Sequence, residues 1–78
     1  MTPALFKPVT LNERTAKVLR LPLVALTPTA QLIANGREWL WFDLAAHVAI
    51  WQGPVWQRGF PASSLEEALA RVGRRLVG

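Results

Sequence analysis

Residues 39–60 read WLWFDLAAHVAIWQGPVWQRGF and hold all four tryptophans and two of the three phenylalanines of a 78-residue chain. Read as strands, the region divides into REWLWFDL (37–44), HVAIWQ (47–52) and VWQRGF (55–60), separated by Ala45-Ala46 and Gly53-Pro54. Trp, Phe, Val and Ile suit a pleated surface and Gly-Pro marks a turn, although Ala-Ala is poor turn chemistry. Read as a helix, 37–52 would be apolar almost all round, with only Asp43 and His47 on a polar side. Such a helix needs deep burial, and a chain this short has little interior to offer. Strands are the expected form.

Alternation then sorts the side chains. Leu40, Phe42 and Leu44 share one face, while Arg37, Trp39, Trp41 and Asp43 share the other. With two-residue turns, Trp51 and Trp56 pair across strands on the Leu40 face, and Val48, Ile50 and Val55 fall beside Trp39 and Trp41. A one-residue slip would exchange the sets. Both faces are apolar in either case, and a single helix can cover only one.

Outward from this segment, the C-terminus carries the clearest helix signal. Ser63-x-x-Glu66 has capping-box spacing and predicts a helix from Ser64 to about Val77. Leu65, Ala68, Leu69, Val72 and Leu76 form its apolar stripe, expected to lie on the Leu40/Phe42/Leu44 face. Glu66 and Glu67 open it and Arg71, Arg74 and Arg75 close it, complementing the macrodipole, and Glu67 is spaced to pair with Arg71. Gly73 falls off the stripe, at a cost of roughly 1 kcal/mol relative to Ala.

The N-terminal half is more ambiguous. Residues 1–9, with Pro3 and Pro8, read as an extended arm. Thr10-Leu11-Asn12-Glu13 predicts a capped helix over 11–20 with a Glu13–Lys17 pair, stopped by Pro22. The competing form is an edge strand over 17–26. Thr27-Pro28 resembles a helix start, Asn35-Gly36 a helix end or a hairpin turn, and 29–34 leans to strand. The chain is thus expected to be a single domain: arm 1–9, helix/strand region 10–36, Trp-rich strands 37–60 and helical segment 63–77. The fold class is α+β, a three- to four-stranded antiparallel sheet with a C-terminal helix on one face and a short N-terminal helix.

Composition narrows the function classes. The chain is 51% hydrophobic, which favours a folded domain over disorder. It has no cysteine, so disulfides, thiolate chemistry and sulfur-ligated metals are excluded, and a cytoplasmic setting fits. Net charge is +4, with seven of the nine basic residues arginine, which invites an acidic partner through forked contacts. The apolar runs at 21–26 and 39–42 fall far short of the about 20 residues that span a membrane. Arg14, Lys17 and Arg20 before LPLVAL and TPTA mimic a secretory leader, but the apolar run is too short for cleavage.

Catalytic constellations are lacking. His47, the sole histidine, stands four residues after Asp43 with no accompanying nucleophile. One histidine and scattered carboxylates have no metal-ligand spacing, and Gly36, Gly53 and Gly59 are isolated turn or bulge glycines. No enzyme, cofactor or metal is expected. The candidate binding residues are Arg37, Trp39, Trp41 and Arg58, with Arg71, Arg74 and Arg75 as a basic helix face. Trp and Arg dominate interface hot spots, and aromatic rings also stack on bases. Against this, Val18, Leu19, Leu21, Leu23 and Leu26 can cover Trp39 and Trp41 as a second core layer, and Trp51 and Trp56 read as core.

The order helix (11–20), strands (37–60), helix (64–77) resembles the double-stranded-RNA-binding domain in topology. That family's second helix opens with phosphate-gripping lysines, whereas this one opens Ser63-Ser64-Leu65-Glu66-Glu67, so no functional residue carries over. In size and in lacking catalytic residues the chain also resembles the small inhibitors made by phages and mobile elements, anti-CRISPR proteins above all. That resemblance implies a non-catalytic protein that binds a host nucleic-acid machine, here by blocking an acidic protein patch or promoting nonspecific DNA contact. The expected function is therefore binding, as an inhibitor or accessory factor, to an acidic protein or nucleoprotein complex. Direct nucleic-acid binding through the arginines is the alternative, and a homodimer burying the Trp39/Trp41 face is a third. No membrane partner is expected.

Overall fold

A computed structural model describes residues 5–21 and 25–77. The elements run β1 (Lys7–Val9), α1 (Glu13–Val18), β2 (Ala30–Ala34), β3 (Trp39–Asp43), β4 (Val48–Gln52), β5 (Gln57–Pro61) and α2 (Leu65–Val72). The fold is α+β, and its sheet has five antiparallel strands in the order β1-β2-β3-β4-β5, one or two more than expected. β2 is the strand toward which 29–34 leans, and the addition is β1, which takes up the end of the expected N-terminal arm.

Each hairpin has its own turn device. Between β2 and β3, Asn35 Oδ1 accepts the backbone N–H of Arg37 at 2.9 Å and of Glu38 at 2.8 Å, and Gly36 takes φ 91. Asn-Gly is thus a hairpin turn. Between β3 and β4 the loop has four residues, 44–47, rather than Ala-Ala alone. Asp43 Oδ1 accepts from Ala45 N at 3.2 Å, and His47 supplies the left-handed residue at φ 55. Side-chain acceptance of this kind is the turn chemistry that alanine lacks. The loop carries Leu44 out of the sheet, where it is exposed instead of sharing the Leu40 face.

The β3–β4 register matches the expected one, with Leu40 opposite Trp51 and Trp41 opposite Ile50. The β4–β5 register is shifted by two residues, because 53–56 form a longer loop closed by Gly53 N–H donating to Trp56 O at 2.9 Å. Trp51 faces Arg58 rather than Trp56. An even shift leaves every side chain on its own face.

Two cores result. Phe6, Ile33, Leu40, Phe42 and Ala49 pack beneath Ala68 and Leu69 of α2. On the other face Leu32 and Trp41 pack beneath Ala16 of α1 and the following Leu19, Leu21 and Ala25, flanked by Trp39, Val48 and Ile50. Trp41 is 6% exposed and its Nε1 donates to Ala25 O at 3.0 Å.

The helix ends differ from expectation. α1 is shorter than 11–20: Asn12 is its N-cap, in a capping box with Thr15. Arg20 N–H bonds Lys17 O at 3.1 Å and Leu21 N–H bonds Ala16 O at 2.8 Å, a Schellman closure with Arg20 at φ 58. Residues 17–21 are therefore not an edge strand; Pro22 and Leu23 lie outside the described residues. α2 is capped by Ser64, whose Oγ accepts Glu67 N at 3.1 Å, and Glu67 Oε2 accepts Ser63 N at 3.1 Å. It stops at Val72 because Gly73 takes the left-handed position at φ 65, with Arg74 N–H returning to Leu69 O at 3.0 Å. Gly73 ends the helix instead of weakening its interior, so Arg74, Arg75 and Leu76 are not helical. The chain then runs beside the start of β1, with Phe6 N–H donating to Arg75 O at 2.9 Å and Val77 N–H to Phe6 O at 2.8 Å.

Two substitutions test these details. A non-glycine residue in the left-handed region costs about 1–2 kcal/mol, partly offset by glycine's freer unfolded chain. Arg20→Gly is therefore expected to raise unfolding free energy by about 0.5–1 kcal/mol in urea titration. Asp43 is buried and takes a hydrogen bond from Thr29 Oγ1, which ties the start of β2 to the end of β3. Thr29→Val removes that donor and is expected to cost about 1–3 kcal/mol by the same measurement.

Candidate functional site

The exposed chemistry gathers where β4 and β5 pass the outer side of α2. Trp51, on the α2 face of β4, lies opposite Arg58 of β5. Its Nε1 donates to Glu38 Oε1 at 2.8 Å, and Arg74 Nη2 holds the other oxygen, Oε2, at 3.0 Å. The Arg74 guanidinium carbon stands 5.8 Å from the Trp51 ring centroid. Trp56 meets Trp51 edge-on, with centroids 4.7 Å apart and planes at 78°. Further along, Arg71 sits 5.4 Å from the Phe60 centroid, its Nη1 3.5 Å from Pro61 O. The result is a strip of arginine and aromatic residues: Trp51 with Trp56 and Arg74 against it and Arg58 in register opposite at one end, Phe60 and Arg71 at the other.

Gly53 makes the first cluster possible. A Cβ there would lie 2.4 Å from the Trp56 ring, so only glycine lets the indole settle over the turn. Such an edge-to-face pair contributes about 0.5–1.5 kcal/mol beyond its buried area.

The three arginines are electrically unequal. Arg74 is neutralised by Glu38, the one salt bridge among the described residues. Arg58 and Arg71 have no carboxylate partner there. Glu67, spaced to pair with Arg71, instead turns back to cap Ser63. Two arginines without a salt bridge are therefore exposed here, Arg71 against the Phe60 ring and Arg58 in the strand register opposite Trp51. Burial works to raise the Glu38 carboxyl, but hydrogen bonds from Arg74 and Trp51, and the charges of Arg74 and Arg37, outweigh it and hold the group below 4.5.

The structure disperses the other sequence-derived candidates. Arg37 is exposed in the β2–β3 turn, and Arg75 is exposed in the C-terminal segment beside Phe6. Arg71, Arg74 and Arg75 do not form one helix face, because Gly73 ends the helix between the first and second. Trp41 is core, covered by α1 and the segment after it, and offers no surface for a partner or for the alternative of a homodimer built on the Trp39/Trp41 face. Trp39 is half-buried at the rim of a groove of about 310 Å³, lined also by Val18, Arg20 and Val55. Val18 is exposed and takes no part in covering the tryptophans. Trp56, expected in the core, is at the surface, and Phe60 joins the site half-buried. The strip's signal in the sequence is parity: Trp56, Arg58 and Phe60 alternate on one face of a strand. Asp43 and His47 form no dyad; the aspartate is committed to Thr29 and Ala45, and the histidine is an exposed turn residue. Among the described residues no three His, Asp or Glu side chains come together as a metal site, and no helix is long and apolar enough to cross a membrane.

Compared with protein families, curated proteins and solved structures, the chain matches none.

A carboxylate held below its ordinary value contributes stability that is present above that value and lost as pH falls through the folded one. For Glu38 the loss begins below about pH 4.5. Glu38→Gln is expected to be less stable than the parent at pH 7, with the gap closing toward pH 3. Urea midpoints at the two pH values check this; a gap independent of pH would assign the effect to packing alone.

Proposed function

We propose that the protein is a non-catalytic binding module that docks an acidic surface of a protein or nucleoprotein partner through Arg58 and Arg71. The observation that carries this is the pair of exposed arginines without a salt bridge, Arg71 over the Phe60 ring and Arg58 paired in register with Trp51, next to the Trp51–Trp56 pair. An arginine held against an aromatic ring, as Arg71 is by Phe60, loses less conformational freedom on binding, and the weakly hydrated charge of either arginine is cheaper to desolvate than an ammonium. Its fork matches a carboxylate in bidentate geometry. Arg74 supports the strip by fixing Trp51 through Glu38, and Trp56 supplies an apolar rim that excludes water. Such a module acts as an inhibitor or accessory factor by occluding the patch it covers.

Phosphate would attract the same arginines, and ionic strength separates the two ligands. Contacts with duplex phosphates release counterions, so log K falls with log salt at a slope of about −0.9 per contact. A carboxylate docking site flanked by aromatics depends less on salt.

Binding of an oligoglutamate peptide and of a DNA duplex should be titrated at low and physiological salt. Arg58→Ala and Arg71→Ala are each expected to weaken peptide binding about tenfold, or about 1.4 kcal/mol, whereas Arg75→Ala is near neutral. Equal loss for all three variants would point to diffuse charge attraction. Preference for the duplex with a steep salt slope would favour the nucleic-acid reading.

A further inference from the structure

The two edges of the sheet are treated differently. β1 is three residues long, contains Pro8, and is extended by Phe6, which is bonded to the C-terminal segment. β5 is a five-residue strand on the opposite edge, and no described strand covers its outer side.

The groups β5 presents follow from the ladder. Gly53 N–H bonds Trp56 O at 2.9 Å and Ala62 N–H bonds His47 O at 3.1 Å. Bonded and non-bonded pairs alternate between antiparallel strands, so Trp51–Arg58 and Ala49–Phe60 are the bonded pairs within these limits. Gln57, Gly59 and Pro61 turn their backbone groups outward. The open edge thus offers N–H and C=O at Gln57 and at Gly59, and C=O at Pro61. The Gln57 side chain is tied to Gln52 at 2.9 Å and does not cover its own backbone.

Gly59 stands at the middle of this edge, and the fold does not need a glycine there. A Cβ would meet only Ala49 O, at an ordinary 3.8 Å. Glycine weakens a strand interior and recurs where another backbone or a ligand approaches closely.

We propose that β5 receives an extended acidic segment of a partner protein as a sixth strand, paired through the main chain at Gln57 and Gly59. The proposal rests on the acidic-partner reading above and adds the mode of entry. Along the α2 side of this edge stand Arg58 and Arg71, the two arginines of the strip without a salt bridge. Alternate side chains of an added strand point to that side, so carboxylates at positions i and i+2 meet them. The intervening side chains fall on the other face, beside Gly59 and the half-buried Ile50, where small apolar groups fit. A second copy is the poorer occupant. Two β5 strands paired about Gly59 would bring both Arg58 and Arg71 sets together in a +4 protein, with Glu67 already turned onto Ser63.

The test uses a ten-residue peptide of alternating Glu and Val, titrated into the intact protein by calorimetry. Two further peptides carry N-methyl groups on the valines or on the glutamates, and a third has Gln for Glu. Strand addition predicts that one methylated set loses at least tenfold in affinity while the other is retained. Loss on valine marks antiparallel entry and loss on glutamate parallel entry. The Gln peptide should lose at least tenfold as well. If both methylated peptides bind like the parent, strand addition is overturned while docking on the arginines stands. If the Glu peptide fails to bind, or binds Arg58→Ala and Arg71→Ala as well as the parent protein, the underlying reading falls too. A free protein already dimeric at the working concentration and closed to the peptide would assign the edge to a second copy and overturn the proposal.

Discussion

The fold is governed by one strand that is apolar on both faces. Trp39–Asp43 sends Leu40 and Phe42 to one side and Trp39 and Trp41 to the other, so both sides must be covered. A chain of 78 residues has few elements for this. It lays α2 over the first face and α1 with the segment after it over the second, making two thin cores in place of one thick one. Burying a large apolar side chain stabilises by about 1.5–3 kcal/mol, and leaving its polar atom without a partner costs roughly 1–3. For Trp41 these are of one size, so the bond from Nε1 to Ala25 O decides that this indole is core.

Much of this arrangement is legible in the residues themselves. Alternation over 39–43 and 48–52 places side chains on the right faces, and the two wrong turn lengths leave those faces unchanged because each error is an even number of residues; only Leu44, taken into the longer loop, leaves its expected face. The apolar stripe of α2 points to its correct seat. Helix ends are less legible because adjacent residues compete as caps: Ser63 with Ser64, Thr10 with Asn12. Each competitor satisfies the local rule, so the rule alone does not choose between them. Gly73 shows the same limit, since a glycine near a helix end reads equally as a weak interior residue or as its terminator.

The candidate site is less legible still, because its geometry depends on contacts between distant parts of the chain. Nothing local indicates that Glu38 will clamp both Trp51 and Arg74, or that the clamp will consume the charge of one arginine while Glu67 leaves Arg71 unpaired. Seven arginines make a basic composition; which of them remain uncompensated is a tertiary fact. Trp41 and Trp56 teach the converse. Their residue type suits a core or a surface equally, and only the covering elements separate the buried ring from the exposed one.

The open edge and the charged strip also constrain one another. An unpaired strand is a template for indiscriminate pairing, and proteins blunt such edges with charge, proline and irregularity. β5 has all three in mild form: Arg58 beside the edge, Pro61 with no N–H to offer, and Gly59 with low strand propensity. None closes the edge. Each raises the threshold for an arbitrary chain, and like charge does so most strongly for another copy of this one. A segment carrying carboxylates at the right spacing meets the opposite situation, since the arginines that repel a copy attract it and the missing Gly59 side chain makes room for it. On the proposed reading, protection against self-association and selection of an acidic partner rest on the same few residues. This is why the strip and the edge are best understood as one surface.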